Sequence, residues 1–223
     1  NNAFGSGNVG AGGILCDAIN LDACRGESDF DVKHLISAYG IYELPFGRGK
    51  LIGANIPGWA NQIFGGWQLS GIFNWRTGLA FQTVTSSFPI SFANNVPAVF
   101  TGSRSAIQTH VHVDPASDQV QLFADPDAAL AAFSFPTGLQ AGTRNNLRGP
   151  HYSNVDLGLS KRFPINETMA FRFRADAFNV FNHTNFGLPG LDGTADISDP
   201  SSFGVITSAG APRVMQFALR FEF

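Results

Sequence analysis

No run of this sequence reaches the roughly 18 consecutive apolar residues that a membrane-spanning helix needs. Charge is scarce too: 14 Lys and Arg and 17 Asp and Glu make up 14% of 223 residues, with a net charge of −3. A soluble domain usually carries roughly 25%. A mildly acidic balance with no basic block argues against nucleic acid as a partner. The opening, Asn1-Asn2-Ala3-Phe4-Gly5, has no charged n-region, apolar h-region or cleavage site. Gly-rich and loop-like, it reads as an entry into the middle of a longer protein. There are two cysteines, Cys16 and Cys24. In an exported protein they are close enough to close a small-loop disulfide; in a reducing compartment they stay free thiols. Catalytic motifs are missing as well. No Gly-x-Ser-x-Gly elbow occurs, and no Ser, His and Asp are placed by a recognisable motif. Gly5-x-Gly7-x-x-Gly10 has the dinucleotide spacing without the preceding strand it needs. The expectation is a protein that is not an enzyme and holds no cofactor.

What the sequence has in abundance is Phe, 22 copies of it, and period-2 alternation. In the last ten residues Met215, Phe217, Leu219, Phe221 and Phe223 alternate with Val214, Gln216, Ala218, Arg220 and Glu222. Successive side chains of a strand point to opposite faces, so one face is apolar and the other mostly polar. The same pattern recurs where Met169, Phe171, Phe173 and Ala175 alternate with Ala170, Arg172, Arg174 and Asp176. Val155, Leu157, Leu159 and Phe163 share a face with Lys161, opposite Asp156, Gly158, Ser160 and Arg162. Trp67, Leu69, Gly71, Phe73 and Trp75 oppose Gln68, Ser70, Ile72 and Asn74. Residues 31–44 are strand-like with mixed faces. The reading is all-β: an antiparallel meander of about five strands near 31–44, 67–81, 153–163, 168–181 and 212–223, after a loop over 1–30.

The connections separate by length. Pro164-Ile165-Asn166-Glu167 is a tight turn, and the connection opening at Leu44 is middle-sized, with Gly58–Phe64 a candidate amphipathic turn. Gln82–Pro150 and Asn182–Ala211 are long. Counted back from Phe223, every long segment falls on one side of the sheet. Outer-membrane barrels have this rhythm, with short periplasmic turns, long external loops and strands that cross in about 10 residues. The aromatic face then meets lipid. Arg172, Arg174, Asp176, Arg220 and Glu222 face a hydrated or plugged lumen, since a charge turned into lipid costs about 2–4 kcal/mol at midplane.

An ordered set of motifs carries a resemblance. It comprises Ser28-Asp29-Phe30-Asp31-Val32-Lys33-His34, Tyr42-Glu43-Leu44-Pro45-Phe46-Gly47-Arg48-Gly49-Lys50 and Gly65-Gly66-Trp67-Gln68-Leu69-Ser70-Gly71. Arg144-Asn145-Asn146-Leu147-Arg148-Gly149-Pro150, Asn154–Lys161 and Ala175–His183 complete it. With these the chain resembles the C-terminal end of a TonB-dependent outer-membrane receptor of the Oar-like type. The resemblance implies a plugged barrel of roughly 22 strands in the cell outer membrane, taking up a scarce, bulky substrate by energy-coupled transport. The plug, the energy-coupling box and the small N-terminal β-sandwich of such receptors lie outside these residues. The partners implied are outer-membrane lipid, the remaining barrel strands, the TonB complex through the absent N-terminal parts, and the barrel-assembly machinery. Met215, Phe217, Leu219, Phe221 and Phe223 resemble the C-terminal signal read by that machinery. A second reading is a surface-binding or adhesion protein without transport. The pair His110 and His112 and the acidic loop Asp192, Asp196 and Asp199 are read as ordinary loop residues rather than metal sites.

Overall fold

A computed structural model describes residues 22, 25–86, 96–138, 140–190 and 195–223. Five long strands carry the architecture: β1 (Leu35–Glu43), β2 (Trp67–Arg76), β3 (Tyr152–Pro164), β4 (Ala170–Phe178) and β5 (Val214–Glu222). They lie side by side in sequence order in one sheet. β3 pairs antiparallel with β4, from Leu157 opposite Ala177 to Pro164 opposite Ala170. β4 pairs antiparallel with β5, from Ala170 opposite Glu222 to Phe178 opposite Val214. Between β1 and β2, Leu44 N donates to Trp67 O at 2.9 Å and Ser37 Oγ to Asn74 Oδ1 at 2.8 Å, partners that run in opposite directions. The all-β, antiparallel expectation holds.

Strand ends follow from particular residues. The β3–β4 turn closes on Asn166, whose Oδ1 accepts the backbone N–H groups of Thr168 at 3.0 Å and Met169 at 2.7 Å. Such an Asx turn mimics a backbone turn. The reading extended the next strand to 181, but β4 stops at Phe178 because Asn179 takes φ 50°, outside the β region. Its amide then holds the corner, accepting from His183 N and donating to His183 O, each at 2.9 Å. Similarly, β2 ends at Arg76 rather than 81. Gly78 there passes so close to another backbone that a Cβ would lie 1.8 Å from Gly149 O.

The chain divides into two compact units. The first, the sheet unit, takes in Leu35–Trp75, Ser153–Thr184 and Ala211–Phe223. It includes the connection between β1 and β2, with the short helix α1 (Gly58–Phe64). The second unit holds Asn1–His34, Arg76–Tyr152 and Asn185–Gly210. Here the structure adds what alternation does not disclose. The long segments are not bare loops but enclose a core of their own, with Phe81, Leu122, Phe123, Phe133, Phe203 and Ile206 all buried. Phe123 and Phe203 stack with centroids 5.3 Å apart. Around them run pairings too short to show a period: Leu147–Arg148 with Ala80–Phe81, Val99–Phe100 with Phe133–Ser134, and Thr109–Val113 with Val120–Phe123. Ala195 and Asp196 pair parallel to Thr83 and Val84. A second helix, α2 (Pro126–Ala131), is N-capped by Asp125, whose carboxylate accepts Ala128 N at 2.9 Å.

Candidate functional site

The sheet has two chemically different surfaces, and register decides which residues share them. Directly opposed residues of an antiparallel pair lie on one face. On the first face one row reads Phe163, Phe171, Phe221 and the next Lys161, Phe173, Leu219. Leu159, Ala175, Phe217 and then Leu157, Ala177, Met215 follow. Phe171 and Phe221 lie 5.1 Å apart, Phe221 and Phe223 5.9 Å. Met215, Phe217, Leu219, Phe221 and Phe223 are all solvent-exposed, Phe223 at 94%.

Lys161 interrupts this apolar face, and the sheet unit deals with it locally. Its side chain is buried, at 4% exposure. The ammonium donates to Ile63 O at 3.0 Å, at the C-terminal end of α1. It also lies 4.8 Å from the centroid of Phe163 and 5.5 Å from that of Trp67. A cation over ring faces gains up to about 2 kcal/mol when desolvated. Trp67 completes the enclosure, edge-on to Phe163 and Phe173, with its Nε1 donating to the same Ile63 O at 2.9 Å.

The opposite face collects the charges. Arg162 lies opposite Arg172, and Arg172 opposite Arg220, so three guanidinium groups form one row across β3, β4 and β5. Like charges so placed repel. Glu222 answers two of them, at 3.2 Å from Arg162 and 2.9 Å from Arg172. Along β4, Arg174 pairs with Asp176 at 2.7 Å. Ser70 Oγ donates to Gly158 O at 3.1 Å on the same surface. Arg172, Arg174, Asp176, Arg220 and Glu222 thus share one face, away from the aromatic one.

Sequence reading missed an ionic clamp in the second unit. Arg144 donates to both carboxylate oxygens of Asp29 at 3.0 Å, and Asn145 Nδ2 reaches Asp29 Oδ1 at 2.6 Å and Glu27 O at 2.8 Å. Arg148 donates to Asp31 O at 2.7 Å and to the carboxylates of Glu27 and Asp31. Two motifs quoted above for resemblance alone, Ser28–His34 and Arg144–Pro150, are therefore each other's partners. The only available signal was their opposite charge.

Asp199 and Asp114 both close local turns. Hydrogen bonds from the Ser201 and Ser202 hydroxyls hold the Asp199 carboxyl below its ordinary value, and the Ser117 hydroxyl does so for Asp114. His110 and His112 stack at 6.0 Å. Among the described residues, no group of three or more His, Cys, Asp and Glu is placed to hold a metal ion. The expected bridge between Cys16 and Cys24 and the residue Asp192 lie outside the described residues.

A family model described as an outer membrane beta barrel domain matches residues 1–216. No curated protein and no solved structure matches the chain.

Proposed function

The chain belongs to the outer membrane beta barrel domain family, and from that premise we propose that it forms barrel strands of a TonB-dependent receptor that takes up a bulky substrate by energy-coupled transport. Membership places it in the outer membrane, in association with lipid. The finer reading assigns the face of Phe171, Phe217, Leu219 and Phe221 to lipid and the arginine row to the lumen. One observation carries it: the segregation of Arg162, Arg172, Arg174, Asp176, Arg220 and Glu222 onto a single face of three adjacent strands. Charges at that density need water or counter-charges opposite them, and a lumen filled by a plug supplies both. In this orientation the β3–β4 turn and the β1–β2 connection are periplasmic, and the second unit belongs to the external loops. The ordered motif set shared with Oar-like receptors supports the transporting member of the family.

A second reading, surface binding without transport, is favoured by the buried core of the second unit. External segments with a fixed fold suit a preformed binding surface. Site-specific photo-crosslinking of the full-length protein in cells separates the two. Crosslinks from its N-terminal region to TonB, lost when the coupling box is deleted, are the expected result. Cells that attach to a surface through this protein while yielding no TonB crosslink would establish adhesion instead.

A further inference from the structure

The connection between β1 and β2 is too apolar for a turn in periplasmic water. Within it Phe46, Leu51, Ile52, Trp59, Ile63 and Phe64 are all exposed, from 39% at Phe46 to 88% at Leu51. The β3–β4 turn, by contrast, exposes a single large apolar residue, Ile165, beside Asn166, Glu167 and Thr168. The connection does not hang free from the strands. Trp67 and Lys161 both tie Ile63 O to the aromatic face. An apolar cleft of about 480 Å³ opens there, lined by Phe46, Ile52, Ile56, Phe64, Trp67 and Leu159. Its walls thus come partly from the connection and partly from the sheet face already assigned to lipid. From Pro45 to Gly66 the only charged residues are Arg48 and Lys50, and Lys50 Nζ is paired at 3.1 Å with Glu43 just before that stretch, so Arg48 is the cation the connection offers.

The shape is preformed. Gly47 N donates to Ile52 O and Ile52 N to Pro45 O, both at 2.9 Å. Asn61 Oδ1 accepts Arg48 N at 2.7 Å. At Gly65 a Cβ would stand 2.3 Å from that same Asn61 oxygen, so the close approach requires glycine.

Resting on the lipid-facing assignment of the aromatic face, we infer that residues 45–66 form a lipid-binding foot. Its cleft takes an acyl chain of a phospholipid in the periplasmic leaflet, and Arg48 favours an anionic headgroup. Continuity of the cleft with the lipid-facing surface selects the occupant, and the charge balance selects the headgroup. Trp and basic residues beside an apolar surface are the composition that settles at a bilayer interface.

The test uses the full-length protein in outer membranes carrying ³²P-labelled phospholipid, with a photoreactive phenylalanine in place of Trp59, Ile63, Leu219 or Glu167. Lipid adducts at positions 59, 63 and 219 but not at 167 are expected. Labelling at 219 with none at 59 and 63, or protein adducts there, overturns the foot while leaving the barrel orientation standing. No labelling at 219 removes the orientation, and the foot with it. In reconstituted vesicles, position 59 labels phosphatidylglycerol over phosphatidylcholine, and Arg48→Gln lowers that preference about fivefold. Equal labelling of the two lipids overturns the headgroup assignment.

Discussion

Lys161 shows how one side chain can contradict the surface around it. The carbonyl it serves, Ile63 O, also accepts from Trp67 Nε1, so removing the ammonium leaves no orphaned acceptor. Lys161→Met is therefore expected to change stability by less than about 1 kcal/mol. Lys161→Glu, which sets an anion against a carbonyl and two ring faces, should cost about 3 kcal/mol or more. Urea titration of heat-modifiable gel mobility in the full-length protein measures both; equal costs would dismiss the aromatic enclosure. Asp199 gives a pH-dependent case at the same scale. Its carboxyl is lowered from 3.8 by the Ser201 and Ser202 hydroxyls. A depressed acid contributes its share of stability above the unfolded value and loses it as pH falls through the folded one. Protection of the Ser201 and Ser202 amides, relative to their intrinsic exchange, should thus fall below pH 3.8 in the native protein, and Asp199→Asn should abolish that acid step.

At the level of the strand, the charged row and the terminal aromatics make separate predictions. Glu222→Gln leaves Arg162, Arg172 and Arg220 facing one another without a carboxylate, at a cost of about 1 kcal/mol for these half-exposed groups. Adding Arg172→Gln should recover part of that loss; a double variant as unstable as the sum of the singles would discount the repulsion. Phe223 tests assembly. An unpaired strand edge offers main-chain hydrogen bonds, with alternate side chains supplying specificity. Deleting Phe223, or changing it to Ala, should lower outer-membrane levels with precursor left in the periplasm; undiminished levels after loss of Phe221–Phe223 would leave the signal unsupported. Elements differ in how far the sequence discloses them. β3, β4 and β5 are legible because each is 9 residues or longer and one face is apolar but for Lys161. The pairings of the second unit are hidden, since two-residue strands such as Ala80–Phe81 are too short to establish a period. Leu122 and Phe123 are also both buried though adjacent, which defeats any two-sided pattern. The position of Lys161 on the apolar face was legible, as was Phe163 beside it; the helix end and the Trp67 ring that also accommodate it come from residues almost 100 positions away.

For the whole molecule, the two units predict distinct responses. The second unit rests on its aromatic core and the Arg144–Asp29 and Arg148–Asp31 clamp, so Arg148→Ala should loosen it by about 2 kcal/mol, reduced from the value for a fully buried pair. Limited proteolysis of the second unit reads that change, and barrel mobility on gels should be unaffected. Gly78→Ala forces a Cβ onto a backbone oxygen that cannot rotate away, with a cost of about 3 kcal/mol by overpacking. Among the described residues, the five-stranded sheet leaves β1 and β5 each with one unpaired edge. Since every backbone polar group in hydrocarbon must be satisfied, residues 1–223 expressed alone should give no heat-modifiable species in vesicles. The register of β4 against β5 has a consequence for inheritance as well. Odd positions of β5 before the terminal aromatics ask only for an oily side chain, while Glu222 is committed to the guanidinium groups of Arg162 and Arg172 and Arg220 lies in the same charged row. Mutational drift along this strand should consequently beat with a period of two, permissive and restrictive sites interleaved. The chain can thus rewrite one half of its final sentence freely while the other half stays in its original wording.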